Sequence, residues 1–121
     1  MREKKNILIV DDDEFNQSIL IELLSNDYEV TSACNGQECL SSVLEHSPDL
    51  ILLDIMMPKM DGYEVIDIFK HNPKLEKIPI IVVSAMVKEK EKQVAYDLGI
   101  TDYITKPYEK DELFSTIRKY L

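Results

Sequence analysis

Basic residues, long apolar runs and cysteines are all scarce in this sequence of 121 residues. With 14 Lys and Arg against 23 Asp and Glu, the formal net charge is −9, which argues against a surface that binds nucleic acid or an anionic membrane. The longest apolar runs reach about five residues, far short of the ~20 that a membrane-spanning helix requires. The charged N-terminal residues precede only a short apolar run, so we expect no signal peptide and no membrane attachment.

The only cysteines, Cys34 and Cys39, have no neighbouring Cys or His at metal-binding spacing. We interpret them as reduced residues packed at a strand end and in a helix, as in a cytoplasmic protein. A hydrophobic content of 45% with 31% charged residues is ordinary for a soluble globular chain. The length suits one domain with its own core, so we expect a single cytoplasmic domain covering residues 1–121.

Four short apolar or β-prone runs each end at a polar side chain. Residues 7–10 precede Asp11, Asp12 and Asp13; residues 50–53 precede Asp54; residues 80–83 precede Ser84; and residues 103–105 precede Lys106. Short apolar runs bounded by polar residues or by Pro and Gly are typical of strands buried on both faces, as in a parallel sheet. A fifth strand is predicted at residues 28–33, where apolar and polar residues alternate.

Apolar residues recur at helical spacing between these strands and predict five helices. The first covers residues 15–25, the fourth 88–98 and the fifth 111–121, and Gly99 is the predicted stop of the fourth. The apolar residues that mark the first three helices are Phe15, Ile19, Leu20, Leu23, Leu24, Cys39, Leu40, Val43, Leu44, Val65, Ile66, Ile68 and Phe69. In the second helix we expect Cys39, Leu40, Val43 and Leu44 to form the inner stripe.

Five strands that alternate with five helices predict an α/β fold with a parallel sheet covered on both faces. The size suits a flavodoxin-like (βα)5 three-layer sandwich with strand order 2-1-3-4-5. In that order the residues that follow four neighbouring strands converge on one edge of the sheet. They are Asp11, Asp12, Asp54, Ser84 and Lys106.

Three carboxylates at one edge require counter-charges, because two like charges ~4 Å apart repel by ~4 kcal/mol at an effective dielectric near 20. Lys106 supplies one counter-charge, and a divalent cation is the natural second. Oxygen-only ligation suits Mg²⁺, or Mn²⁺. A cation, an ammonium and a hydroxyl around one carboxylate also suit phosphoryl transfer to that carboxylate. Taken singly, Asp12 or Asp13 could merely cap the next helix, and Ser84 could be a small polar residue at a strand end.

Four segments resemble the receiver domain of two-component response regulators, and together they span essentially the whole chain. They are ILIVDDD (residues 7–13), LILLDIMMPKMDG (50–62), IIVVSA (80–85) and DYITKP (102–107). The resemblance implies that Asp54 accepts a phosphoryl group from a phosphohistidine on a sensor histidine kinase or a histidine phosphotransfer protein. It also implies that Mg²⁺ is held by Asp54, by Asp12 directly, by Asp11 through water, and by the backbone carbonyl of Met56.

The resemblance also assigns the switch. Ser84 matches the hydroxyl that binds a phosphoryl oxygen, Lys106 matches the lysine that pairs with that group, and Tyr103 matches the switch aromatic. The Lys106–Pro107 peptide bond is expected to be cis, as it is in the family. The implied output is a downstream effector protein that binds the surface of the fourth helix, fifth strand and fifth helix. We expect a stand-alone regulator, with an output domain outside this sequence as the alternative. We expect no enzymatic activity with independent turnover and no direct binding of nucleic acid.

Two other classes share parts of this pattern. Asp11-x-Asp13 after an apolar strand resembles the nucleophile motif of haloacid-dehalogenase-like phosphatases, but the late acidic motif of such enzymes is poorly matched at residues 99–102 and the chain is short for that fold. A flavodoxin has the predicted fold, but its phosphate loop is rich in glycine and hydroxyls. Three aspartates would repel a phosphate there unless a metal intervened.

Methionines flank the predicted phosphorylation site. Met56, Met57 and Met60 could suggest a soft-metal site, although methionines in loops more often fill gaps. The resemblance places Met56 and Met86 beside the path of the water that hydrolyses the acyl phosphate. We predict that these two side chains slow hydrolysis, so that Met56→Asn and Met86→Glu lose the phosphoryl group faster than the wild type. Unchanged dephosphorylation rates in both variants would contradict this.

Overall fold

The fold is a five-stranded parallel sheet with helices on both faces, as seen in a computed structural model that describes residues 4–55, 62–73, 75–85 and 88–121. The strands are β1 Asn6–Val10, β2 Glu29–Ala33, β3 Leu50–Leu53, β4 Ile80–Ser84 and β5 Asp102–Thr105. The helices are α1 Glu14–Leu24, α2 Gly36–Glu45, α3 Gly62–Lys70, α4 Glu89–Leu98 and α5 Lys110–Tyr120. The strand order is β2-β1-β3-β4-β5 with every pair parallel. The predicted fold and strand order are confirmed.

The register of the strands aligns their carboxyl ends. Val10 pairs with Leu53 and Leu53 with Val82, so the residues that follow β1 and β3 emerge side by side. The backbone N–H of Asp54 donates to the carbonyl of Val10 at 2.9 Å. On the other side of β4, Ser84 pairs with Thr105, the last residue of β5. The sheet thereby brings the polar residues that follow its central strands to one edge.

The central strands divide their side chains between two apolar layers, which is why their sequences are continuously hydrophobic. Leu8, Val10, Ile51 and Leu53 pack with α2, α3 and α4 on one face. Residues one position away, such as Ile9 and Leu52, pack with α1 and α5 on the other face. All four residues of β3 are buried. The result is the predicted three-layer sandwich.

The apolar stripes of the helices are narrower than the sequence pattern suggests. Leu44, predicted to lie on the inner stripe of α2, is 80% exposed, and this part of the prediction is wrong. Val43 is buried there, and Leu44 lies about 100° further around the helix. Ile19 and Ile68, which share the helical spacing, are also exposed, and Phe15 is 71% exposed.

The ends of two helices are set by single residues. Asp13 caps α1 by accepting a hydrogen bond from the backbone N–H of Phe15 at 2.9 Å. Gly99 ends α4 in the left-handed region at φ 111°, which confirms its predicted role, because a side chain there would be strained. Within the described part of the chain, no helix is long and apolar enough to cross a bilayer.

Both cysteines are free. Cys39 is buried in α2, as predicted, and burial raises the pKa of its thiol to about 12. Because the thiolate is the reactive form, this residue is an inert part of the core. Cys34 follows β2 and is partly buried.

Candidate functional site

The three predicted carboxylates meet at the carboxyl edge of the sheet. Asp11, Asp12 and Asp54 each offer one oxygen, and these oxygens all lie within 4.8 Å of one another. Asp11 is buried, Asp54 is partly buried and Asp12 is exposed. The cluster therefore opens to solvent on the side of Asp12.

Local hydrogen bonds hold Asp11 in place. Its backbone N–H donates to the carbonyl of Ala33 at 3.1 Å, at the end of β2. Its Oδ1 accepts from the backbone N–H of Asp13 at 2.9 Å. The helix-capping role that the sequence left open between Asp12 and Asp13 falls to Asp13, and the carboxylate of Asp12 lies in the cluster.

Lys106 joins two of these carboxylates. Its Nζ lies 3.0 Å from Asp11 Oδ2 and 3.3 Å from Asp54 Oδ2. The lysine is positioned from β4 as well, because its backbone N–H donates to the carbonyl of Ser84 at 2.9 Å. The Lys106–Pro107 bond is cis, as predicted. The ammonium of Lys106, which follows β5, therefore contacts the residue that follows β1 and the residue that follows β3.

The charges in this cluster do not balance. Burial lowers the pKa of Lys106, but its hydrogen bonds to Asp11 and Asp54 and their negative charges outweigh burial, so the pKa lies above its usual 10.5. The ammonium is thus charged at neutral pH, and it is one positive charge in a cluster that contains three carboxylates. An oxygen-only donor set with excess negative charge fits a hard divalent cation such as Mg²⁺ or Mn²⁺.

Ser84 and Tyr103 form a second part of the site. Ser84 ends β4 and is fully buried. Tyr103, in β5, packs partly buried against the layer of α2, α3 and α4. Burial raises the pKa of Tyr103, and a side-chain hydrogen bond with Ser84 opposes that rise. Lys92 of α4 lies with its Nζ 5.4 Å from the centre of the Tyr103 ring. The aromatic side chain therefore contacts both the strand end and α4.

Met56 and Met86 lie outside the described residues, as do Met57 and Met60. The proposed carbonyl ligand and the shielding of the acyl phosphate therefore stay predictions from the sequence.

Two polar residues with specific contacts were missed by sequence reasoning: Gln17, which lies beside the site, and Asp102, which lies at the other end of β5. Gln17 is buried in α1 and contacts the backbone of Asp11. A signal for it exists, since Gln17 shares the helical spacing of Leu20 and Leu24 and is the polar member of that stripe. Asp102, at the start of β5, accepts hydrogen bonds from the hydroxyls of Tyr96 and Tyr120 at 3.4 and 2.9 Å.

Comparison with known proteins agrees with this geometry. The family model described as "Response regulator receiver domain" matches residues 7–118. This chain belongs to that family. The family that matches is thus neither the haloacid-dehalogenase-like phosphatases nor the flavodoxins.

Two curated relatives differ in how much of their length the chain spans. A "Probable cyclic di-GMP phosphodiesterase" of Vibrio cholerae is 38% identical over 95% of this chain, which spans only 26% of that protein. The "Polar-differentiation response regulator DivK" of Brucella anthropi is 36% identical over 97% of this chain, which spans 96% of that protein. Receivers similar to this one therefore occur both within longer proteins and alone.

Solved structures share the fold along nearly the whole chain. The chemotaxis protein CheY4 of Vibrio cholerae has a TM-score of 0.92 at 26% identity and covers 98% of this chain and 100% of its own. The receiver domain of the sensor histidine kinase PA1611 of Pseudomonas aeruginosa has a TM-score of 0.89 at 26% identity, covering 98% of each chain. That receiver has a magnesium ion coordinated in its active site cleft.

The raised pKa of Lys106 predicts a pH dependence of stability. A group whose pKa is higher in the folded state than in the unfolded state makes its full contribution to stability at pH values below the unfolded-state pKa. That contribution is lost as the pH rises through the folded-state pKa. In metal-free buffer we expect Lys106→Met to reduce the free energy of unfolding by roughly 1–3 kcal/mol at pH 7. The difference from the wild type should stay constant to about pH 10 and shrink above the usual pKa of 10.5.

Urea unfolding followed by circular dichroism measures this difference. Lys90→Met, which replaces an exposed lysine of α4, is the matched control. A Lys106→Met difference that is absent at pH 7, or that grows in alkali, would contradict the assignment of the ion pairs.

Proposed function

We propose that Asp54 of this receiver domain accepts a phosphoryl group from a phosphohistidine donor in a step that depends on Mg²⁺. The observation that carries the proposal is the grouping of the Asp54 carboxylate with Asp11, Asp12 and the Lys106 ammonium. The donor would be a sensor histidine kinase or a histidine phosphotransfer protein. The magnesium ion in the related Pseudomonas aeruginosa receiver supports the choice of metal.

In the proposed step, a carboxylate oxygen of Asp54 forms a bond to phosphorus while the bond between phosphorus and the donor imidazole nitrogen breaks. The electron pair of the broken bond stays on the imidazole, and the product is an acyl phosphate. Asp11, Asp12 and Asp54 would hold the cation, which neutralises phosphoryl oxygens when bound. The Lys106 ammonium would neutralise a further oxygen, and the Ser84 hydroxyl would donate a hydrogen bond to another. We propose no catalysis beyond the domain's own phosphorylation and dephosphorylation.

The output surface in this proposal comprises α4, β5 and α5. A phosphoryl group adds roughly −1.5 to −2 charges and strong acceptors, which would draw Ser84 and Lys106 toward Asp54. Tyr103 contacts both Ser84 and α4, so a shift of Ser84 would alter the packing of α4. A downstream effector protein would recognise this altered surface.

The phosphodonor would dock beside α1. A groove of about 580 Å³ runs between α1 and the segment that follows β5. Ile19, Leu23, Pro107 and Tyr108 line it with mainly apolar surface, and Lys106 lies at its wall. Because Lys106 also contacts Asp54, it belongs both to the wall of the groove and to the proposed phosphorylation site. A donor helix that carries the phosphohistidine fits this position, and we propose it as the occupant.

Phosphorylation itself is the first test. With acetyl phosphate and Mg²⁺, the wild type should gain one phosphoryl group by intact mass, and hydroxylamine should release it because it is an acyl phosphate. Asp54→Asn should gain none, and EDTA should prevent labelling of the wild type. Asp13→Asn is the matched control, because it removes a neighbouring charge but keeps a residue that caps α1 well. Labelling of Asp54→Asn, or labelling in EDTA, would refute the proposal.

Docking of the donor is tested separately. Phe15 lies one helical turn before Ile19 and is 71% exposed, and truncating an apolar anchor at an interface costs about 2 kcal/mol. Phe15→Ala should therefore raise the KM for a phosphorylated histidine phosphotransfer protein roughly tenfold or more, while phosphorylation by acetyl phosphate stays at the wild-type rate.

Leu44→Ala removes a comparably exposed apolar side chain on the opposite layer and should change neither reaction. If Phe15→Ala and Leu44→Ala behave alike with the protein donor, the proposed docking face is wrong.

A further inference from the structure

Gln17 is a buried amide in α1 that contacts backbone atoms outside its own helix. It is only 7% exposed. Its Nε2 donates to the carbonyl oxygen of Asp11 at 2.5 Å and to that of Ala33 at 3.1 Å. Both hydrogens of the amide nitrogen thus have acceptors. One side chain joins α1, the end of β1 and the end of β2.

The position of Gln17 on the helix is one that an apolar residue would normally occupy. Gln17, Leu20 and Leu24 form the buried face of α1. Burying an amide carries a desolvation cost that hydrogen bonds only offset, so Met or Leu would serve packing alone equally well. We therefore expect the role of the amide to lie in the backbone groups that its hydrogen bonds hold in place.

Those hydrogen bonds fix the peptide group between two metal-binding candidates. The carbonyl of Asp11 and the N–H of Asp12 belong to one planar unit, so holding the carbonyl oxygen orients the whole plane. Ala33 contributes to the same arrangement, because its carbonyl also accepts from the backbone N–H of Asp11 at 3.1 Å. Gln17 thereby constrains the directions in which the side chains of Asp11 and Asp12 leave the backbone.

We infer that Gln17 is a positioning residue for the cation site, which sets the relative orientation of the Asp11 and Asp12 carboxylates. Gln17 would not touch the cation or the phosphoryl group. This inference rests on the proposed function, since it assumes that the cluster binds a divalent cation. Residues that orient metal ligands commonly change metal affinity by about 10–100-fold when they are replaced.

The decisive variant is Gln17→Met, which keeps the length of the side chain and removes both donors. Mn²⁺ affinity, measured from the free-ion signal in electron paramagnetic resonance, should fall at least about tenfold. In metal-free protein, the amide resonance of Asp12 should shift, because its peptide plane is no longer held. Neither readout requires phosphorylation.

Thr116→Val is the control for lost stability. Thr116 is the buried polar residue of α5, on the same face of the sheet as α1. Its replacement should lower the urea midpoint without changing Mn²⁺ affinity. If Gln17→Met does not fold, Gln17→Asn replaces it, because this variant keeps the amide but shortens its reach. The same Mn²⁺ affinity is then measured, with the same expected decrease.

An Mn²⁺ affinity of the Gln17 variants equal to that of the wild type, or reduced no more than in Thr116→Val, would overturn the inference. The proposed function fails by a different result, namely absence of Mn²⁺ binding by the wild type or unchanged affinity in Asp12→Asn. The two failures are therefore distinguishable in one set of titrations.

Discussion

The contact of the Lys106 ammonium with Asp11 and Asp54 is the interaction around which the rest of the site is arranged. It joins the ends of β5, β1 and β3. Because β4 lies between β3 and β5 in the sheet, the ion pairs cross the end of β4, where Ser84 is buried. A shift in strand register would separate these groups, so the register of the apolar core and the geometry of the charged cluster depend on each other.

The same cluster carries an excess of negative charge that the fold must tolerate. The Lys106 ammonium contacts two of the three carboxylates, and the mutual repulsion of the three would oppose folding in the absence of a bound cation. Such a cation would stabilise the native state in proportion to its occupancy. The strands beneath are buried on both faces, and their packing compensates for the repulsion above them. The charged cluster is thus placed at the carboxyl ends of strands that are buried along their whole length.

The fold and most of the charged cluster were predictable because each depends on a local pattern. Short apolar runs identify buried parallel strands, and the residue that follows each run must lie at the carboxyl edge of the sheet. The faces of the helices were less predictable, since Leu44 follows a buried residue and has the same apolar character. Gln17 and Asp102 were missed for a related reason. A polar residue is normally read as exposed, and their partners are assembled only by tertiary packing.

The two layers of helices contact different parts of the site around the charged cluster. The layer of α1 and α5 contains Gln17 and the groove beside Lys106, whereas α4, in the other layer, contacts Tyr103. Asp102 connects the layers around the edge of the sheet, because Tyr96 belongs to α4 and Tyr120 to α5. β5 is less buried than the central strands, and weakly packed edge elements move at lower free-energy cost. In the proposed switch, a displacement of Ser84 would therefore reach α4 through Tyr103, while the contacts of Asp102 with Tyr96 and Tyr120 hold the other end of β5 against α4 and α5.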